Sequence, residues 1–483
     1  MKLDIRPLLL VIGLLVAVLG GTMLIPAILD YVQGNEDWRI FTISGLGTMT
    51  IGTALVLATR GGDKALSTRQ AFVMTTLVWV MLSAFGAIPF YLSGTVPTYT
   101  DAFFESISGL TTTGATVMQG LDQMPPGILL WRGILQWLGG LGIIVMAVSV
   151  LPMLQIGGMQ LFKAEAFETP EKILPRATQI SGFMTLIFLN ITALCMLAYL
   201  FAGMNTLDAA VHAMTTVATG GFSTHDESLG YFQSAQIDMI AVFFMIVGSL
   251  PFLLYVQAVQ GHVAPLFRDG QVKVFFLLLL GVVLIAWIIE EKYGIRAGPD
   301  ALRFALVNIT SILTGTGYAT TDYNNWGPAG ISLFFFIMFI GGCAGSTSCG
   351  IKIFRFQVLA QNVRQHISRI LYPNGVFIAR FNGRAIGDDV VSAVMSFFFL
   401  YMLTFALSAT LLAFTGLDAL TALSGAGSAI SNVGPGLGAL IGPAGNYASL
   451  SDPAKWILSV TMLIGRLELF TVLVLLSPRF WRS

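Results

Sequence analysis

Apolar residues run along the chain in ten long blocks, at about 8–29, 40–59, 70–92, 129–153, 180–203, 237–260, 274–289, 328–356, 389–414 and 455–476. Most are near 20 residues, the length of helix that crosses a bilayer core with every backbone polar group bonded internally. A second kind of segment lies between later blocks. It is shorter, half apolar, and ends in small residues. The four examples are "DAFFESISGLTTTGAT" from Asp101, "DAAVHAMTTVATGGFST" from Asp208, "DALRFALVNITSILTGTGYAT" from Asp300 and "DALTALSGAGSAISNVGPGLG" from Asp418. Each reads Asp-Ala, a helix too short to span, then a turn of Thr/Gly or Asn/Gly.

The pattern predicts an all-α polytopic membrane protein of about ten transmembrane helices. Four span–pore-helix–span repeats stand in pseudo-fourfold arrangement around one pore, preceded by two extra N-terminal helices. The expected division is 1–69 for the leading pair, then repeats at 70–177, 178–272, 273–387 and 388–483.

Composition agrees: of 483 residues, 55% are hydrophobic and only 10% charged, far from a soluble domain. The 52 glycines exceed the needs of a plain bundle and suggest close helix packing or irregular backbone within the membrane. The net charge of zero gives no sign of a nucleic-acid partner. Cys195, Cys343 and Cys349 form no disulfide or metal pattern. The amino-terminal apolar run mimics a signal peptide but is long and lacks a clean cleavage site, so we read a retained span. Alternating sides along ten spans puts 18 Lys and Arg on one face and 6 on the other, with Arg466 inside a span. Both termini are therefore expected to be cytoplasmic.

Aspartates Asp101, Asp208, Asp300 and Asp418 are expected at the N-caps of the short helices, where a carboxylate satisfies loose N–H groups. The carboxyl ends, partly negative, would then point into the membrane and converge on a dehydrated cation. Gly114, Gly220, Gly317 and Gly434 are expected to end the helices and turn successive carbonyls toward the axis, since glycine accepts positive φ. Carbonyl rings that replace a hydration shell are how potassium filters work. The competing reading is four re-entrant turns that merely pack; fourfold recurrence weighs against it.

At these residues the sequence resembles the Trk/Ktr/HKT superfamily of cation transporters, and in length and leading spans the TrkH-type potassium uptake subunits. "TTTGAT", "VATGGFST", "TGTGYAT", "SNVGPGLG" and "QWLGGLGIIVMAV" at 136–148 carry the resemblance, which covers essentially the whole chain. It implies a filter of Thr112, Thr113, Gly114; Ala218, Thr219, Gly220; Gly315, Thr316, Gly317; and Asn432, Val433, Gly434. Gly114, where sodium-permeable relatives carry serine, favours potassium. The unequal fourth strand predicts weaker discrimination against sodium, with rubidium also accepted. The resemblance further implies a homodimer in the bacterial inner membrane and a separate cytosolic nucleotide-binding regulatory subunit of the TrkA kind. The chain itself has no nucleotide motif and binds no cofactor beyond the transported ion. The regulator's docking surface is expected on basic loops at 163–176, 268–273 and 352–384; the last also reads as a site for anionic membrane lipid, against a plain cytoplasmic loop that obeys the charge rule.

Two features lie below the filter. The block at 328–356 breaks at "GGCAGSTSCG", 341–350, near mid-membrane by length. It reads as a movable gate of Gly341, Gly342, Gly345, Ser346, Thr347 and Gly350, against a static kink. Arg466 lies too deep to reach water easily; it is expected to face the pore and bond the gate loop's carbonyls, the alternative being a salt bridge with another span. His212 is expected to be packed and hydrogen-bonded, and Arg132 and Trp137 to anchor the interface. An enzyme is excluded, for want of any intramembrane acid pair, HExxH or Ser/His couple. The rival function is a proton- or sodium-coupled secondary transporter, which the like orientation of all four repeats argues against.

Overall fold

The computed structural model describes residues 4–61, 67–149 and 173–482. Among these, seven helices are long and apolar enough to cross a membrane: Arg6–Gln33, Trp38–Ala58, Thr68–Leu92, Pro126–Met146, Gln179–Phe201, Gly270–Lys292 and Asp388–Phe414. Two further spans are bent pairs. Ala235–Ser249 meets Phe252–Val259 at 92°, and Asp452–Arg466 meets Phe470–Leu476 at 109°. The blocks at 237–260 and 455–476, expected as continuous spans, are thus broken. Pro251 lies at the first break, removing a helix donor; the second follows Arg466, where Glu468 and Leu469 adopt positive φ.

The remaining block begins as Gly327–Ile337 and stops. Residues 338–352 return as an irregular loop, and Ile353–Leu371 resumes as a helix buried only over its first turns. A two-residue antiparallel ladder at Arg380–Phe381 and Arg384–Ala385 follows.

Water-exposed surfaces seldom carry so many bare side chains as Val32, Phe201, Leu277, Phe336 and Phe414, the outward apolar face a lipid-embedded protein needs. Lipid supplies no drive to bury such groups, so helices pack through small residues. In the leading pair, a Cβ at Gly13 would stand 2.8 Å from the Gly52 carbonyl oxygen and one at Gly20 2.7 Å from that of Gly45. Two seven-residue steps of glycine interlock the first and second spans backbone to backbone.

Between spans lie the four short helices: Tyr99–Leu110, Thr206–Val217, Gly298–Thr314 and Ala419–Ser431. Only Asp418 is an N-cap; its carboxylate accepts from the N–H groups of Leu420 and Thr421. At the others the cap is Thr98, Asn205 and Ala297, and Asp101, Asp208 and Asp300 stand three residues inside. The helix begins earlier than the Asp-Ala signal suggests, because Thr98 and Asn205 take the capping role and turn the aspartate into the reciprocal partner. Asp101 accepts from Thr98 Oγ1 at 2.8 Å, and Asp208 from Asn205 Nδ2 at 2.7 Å.

Candidate functional site

Every short helix ends the same way. The N–H of Thr112, Thr219, Gly315 and Asn432 bonds back to Gly109, Thr216, Ile312 and Ala429, and the next N–H, of Thr113, Gly220, Thr316 and Val433, reaches Ser108, Thr215, Ser311 and Ser428. These paired bonds are a Schellman closure, which requires a left-handed residue just past the helix. Thr112, Thr219 and Asn432 adopt it at φ 52°, 50° and 51°, and Gly315 at 74°. Two residues on, the backbone turns left-handed again at Gly114, Gly221, Gly317 and Gly434.

This alternation fixes the register of the four loops, and it corrects one of them. The matching triplets are 112–114, 219–221, 315–317 and 432–434. In the second quarter the equivalent residues are therefore Thr219, Gly220 and Gly221. Ala218 is instead the C-cap of its helix, at φ −73°. Glycines 114, 220, 317 and 434 likewise do not end the helices, which close two or more residues earlier at Thr111, Ala218, Gly315 and Asn432.

The loops meet in a closed cycle. A Cβ on Gly114 would lie 2.2 Å from the Gly220 oxygen, one on Gly221 1.9 Å from that of Thr316, one on Gly317 2.0 Å from that of Val433, and one on Gly434 2.6 Å from that of Thr113. Each second left-handed glycine faces the central carbonyl of the next loop, one quarter after another until the first is reached again. The same four glycines line an outer cavity of about 270 Å³, with Met118, His225 and Tyr447 on its wall.

Inside this ring the 341–350 loop packs against three of the four quarters. Thr219 Oγ1 donates to Thr347 Oγ1 at 3.2 Å, Thr112 Oγ1 lies 3.7 Å from Cys349 Sγ, and a Cβ at Gly315 would be 3.5 Å from the Cys349 nitrogen. Backbone bonds tie the loop to the break of the second unit: Cys343 N–H to Ser249, Thr347 N–H to Gly248, and Phe252 N–H to the Gly345 carbonyl. Gly345 and Gly350 take positive φ at 74° and 73°, where the chain reverses. A Cβ at Gly341 would strike the Cys349 oxygen at 1.7 Å.

Arg466 is almost wholly buried. Its Nη1 donates to the Thr347 carbonyl at 3.2 Å and approaches Cys349 Sγ at 2.6 Å, while Nη2 donates to the Gly139 carbonyl at 3.0 Å. No carboxylate pairs with it among the described residues. Glu468 instead pairs with Arg355, which lies in the 352–384 segment expected as a basic cytoplasmic loop but is fully buried here. Lys352 is buried as well, donating to the Ser348 carbonyl. The segment's basic residues therefore begin inside the protein, not in a loop beneath it. Much of the basic stretch at 163–176 lies outside the described residues.

Several positions escaped the sequence reading. Arg132, expected at the interface, is 1% exposed; its Nε bonds Glu105 at 2.8 Å and its Nη1 the Ser223 carbonyl at 2.6 Å, joining the first short helix to the second loop. An acid inside an otherwise apolar short helix was the available signal. Trp137 donates to Thr192 Oγ1 on the neighbouring span. Tyr447 donates to the Gly434 carbonyl at 2.7 Å, and Tyr318 reaches Thr215 Oγ1 at 2.5 Å, tying the third loop to the second helix. Asp101 is bound by Lys455 at 2.5 Å. His212 is packed between the Asp208 carbonyl and Ser223 Oγ, as expected of a structural histidine.

Known proteins share this architecture throughout. The family model TrkH, cation transport protein, matches residues 39–483. The "Trk system potassium uptake protein TrkI" of Halomonas elongata is 44% identical over 99% of this chain and 97% of its own. TrkH of Escherichia coli K12 is 38% identical over 98% of each. The crystal structure of the potassium transporter TrkH from Vibrio parahaemolyticus superposes with a TM-score of 0.91 at 36% identity, covering 99% of this chain and 100% of that one. With fold and sequence in agreement over nearly its full length, the chain belongs to the TrkH family of cation transport proteins.

Proposed function

We propose that this protein takes up potassium across the bacterial cytoplasmic membrane through a gated, channel-like pore, with the four loops as its selectivity filter and the 341–350 loop as its gate. The observation that carries the proposal is the closed cycle of glycine-to-carbonyl contacts with Thr347 and Cys349 directly beneath it. Four helix C-termini end at the cycle, and their partial negative charge suits a dehydrated cation. Left-handed glycines let the backbone, not side chains, present the ligands. The relatives named for potassium uptake support the choice of ion. Arg466, a buried cation on the last bent span that bonds the Thr347 carbonyl of this loop, both holds the loop and repels cations from below. In this reading a peripheral cytosolic nucleotide-binding subunit moves the gate, the protein works as a homodimer with both termini cytoplasmic, and membrane potential drives entry.

Rubidium uptake into proteoliposomes under an outward potassium gradient tests the proposal. Wild type should take up rubidium with no proton or sodium gradient. Gly317→Ser should impair uptake, because a side chain there meets the Val433 oxygen, and deletion of 345–349 should raise it. Uptake that demands a proton or sodium gradient, and is abolished by both changes, would make a coupled transporter the correct account.

A further inference from the structure

The "QWLGG" stretch, 136–140, lies on the span Pro126–Ser149 and runs between two quarters of the ring. A Cβ on Gly139 would stand 1.9 Å from the Leu110 oxygen, at the end of the first short helix, and one on Gly140 2.8 Å from Ala218 Cβ, at the end of the second. These glycines let the span approach the ring closely enough for Gln136 to touch it.

Gln136 is fully buried. Its Nε2 donates to the Gly220 carbonyl at 2.6 Å, and its Oε1 accepts from the Phe222 N–H at 3.0 Å. A Cβ built on Gly220 would lie 2.4 Å from the amide carbon of Gln136, 2.5 Å from its oxygen and 2.8 Å from its nitrogen. The amide thus fills the space that a side chain at position 220 would occupy. In the other quarters that central position is Thr113, Thr316 or Val433, all β-branched and buried. Thr113 Oγ1 bonds Thr111 Oγ1 at 2.7 Å and accepts from Asn432 Nδ2 at 2.9 Å; Thr316 Oγ1 bonds Thr314 Oγ1 at 2.7 Å. Gly220 has no side chain to do this. Among the described residues, its carbonyl is also the only central one of the four that accepts from a side chain.

We infer that Gln136 is the missing fourth central side chain of the ring, supplied by a neighbouring span, and that as a positioning residue it sets cation specificity by fixing the Gly220 carbonyl. The inference rests on the reading of the ring as the ion path. A carbonyl has two acceptor sites, so one can take the amide proton while the other remains for the ion. The hydrogen bond both immobilises this ligand and draws on its electron density, making the second quarter stiffer and weaker than its neighbours. A carbonyl released from the amide can follow a smaller ion inward, which favours sodium.

Rubidium and sodium uptake in the same proteoliposomes, under the same potential, measure the effect as a flux ratio. Gln136→Leu keeps bulk without the donor and should lower the rubidium-to-sodium ratio about fivefold, the worth of one neutral hydrogen bond. Gly220→Thr alone should depress both fluxes or the yield of folded protein, because the new side chain meets the amide. The double variant Gly220→Thr/Gln136→Ala should return folded protein and bring the ratio to within about twofold of wild type, far from the product of the single effects. Two results would overturn the inference: a Gln136→Leu ratio equal to wild type, or a double variant no better folded and no more selective than Gly220→Thr. Failure of the pore reading shows separately, as a proton or sodium requirement in the wild type itself.

Discussion

Gly220 and Gly221 are adjacent and serve different ends. Gly221 has φ 75° and faces the Thr316 carbonyl, whereas Gly220 lacks a side chain because Gln136 lies there. A Cβ at 221 meets rigid backbone in a strained conformation, and no neighbouring side chain can yield to relieve it. Gly221→Ala is therefore expected to reduce rubidium uptake by at least about fivefold, taking the penalty for a left-handed non-glycine as roughly 1–2 kcal/mol. Gln136→Ala should not rescue it. Uptake by Gly221→Ala at the wild-type rate would show that the second quarter does not share the register of the others. The "TGG" of this loop was legible as a site but not as a register, since the letters alone do not say which glycine takes positive φ. The paired bonds of the helix end decide it. Gln136, 84 positions from Gly220, lay within a motif that the sequence marked without giving it a task.

Among elements, the caps show why equivalent letters have unequal roles. Asp418 is exposed and is a true N-cap, and hydrogen bonds from Thr421 and the backbone hold its carboxyl below the ordinary value of 3.8. A carboxylate whose native pKa is depressed contributes stability above its unfolded value, and that contribution is lost as pH falls through the lower native one. Asp418→Ala should cost about 1 kcal/mol near neutral pH. Asp418→Asn should retain most of it and remove the acid dependence, as read from thermal unfolding in detergent at pH 7 and pH 3. Asp300→Ala, which among the described residues removes only the loose Arg303 pair at 3.7 Å, should change stability little; a loss equal to that of Asp418→Ala would mean the cap assignment is wrong. The spans themselves were legible from apolar length, and so was the break in 328–356, where glycines cluster. The turn after Arg466 was not, because it has neither glycine nor proline. It is set by tertiary partners: Glu468, at φ 59°, pairs with Arg355 from another helix.

For the whole molecule, Arg466 links three parts that are remote in sequence: the 341–350 loop through Thr347, the first repeat through Gly139, and its own bent span. Hydrogen bonds from a charged donor are worth about 1.5–3 kcal/mol each. Losing those to the loop should shift the proposed gate toward its open arrangement. Arg466→Gln is expected to raise rubidium uptake about tenfold or more while leaving the rubidium-to-sodium ratio unchanged, since the ring is untouched. A lower uptake, or an altered ratio, would place Arg466 in the support of the proposed filter instead.

The cycle around the ring also bears on how four repeats can grow apart. The central positions differ, as Thr113, Gly220, Thr316 and Val433, because the glycine of the adjoining loop meets only their carbonyl oxygen, and every residue type has one. The glycines at 114, 221, 317 and 434 stayed alike because each leaves empty the space that the next loop's oxygen fills. A repeat could drift freely in what it displays but not in what it withholds, so one chain can hold four unequal quarters and still close the circle.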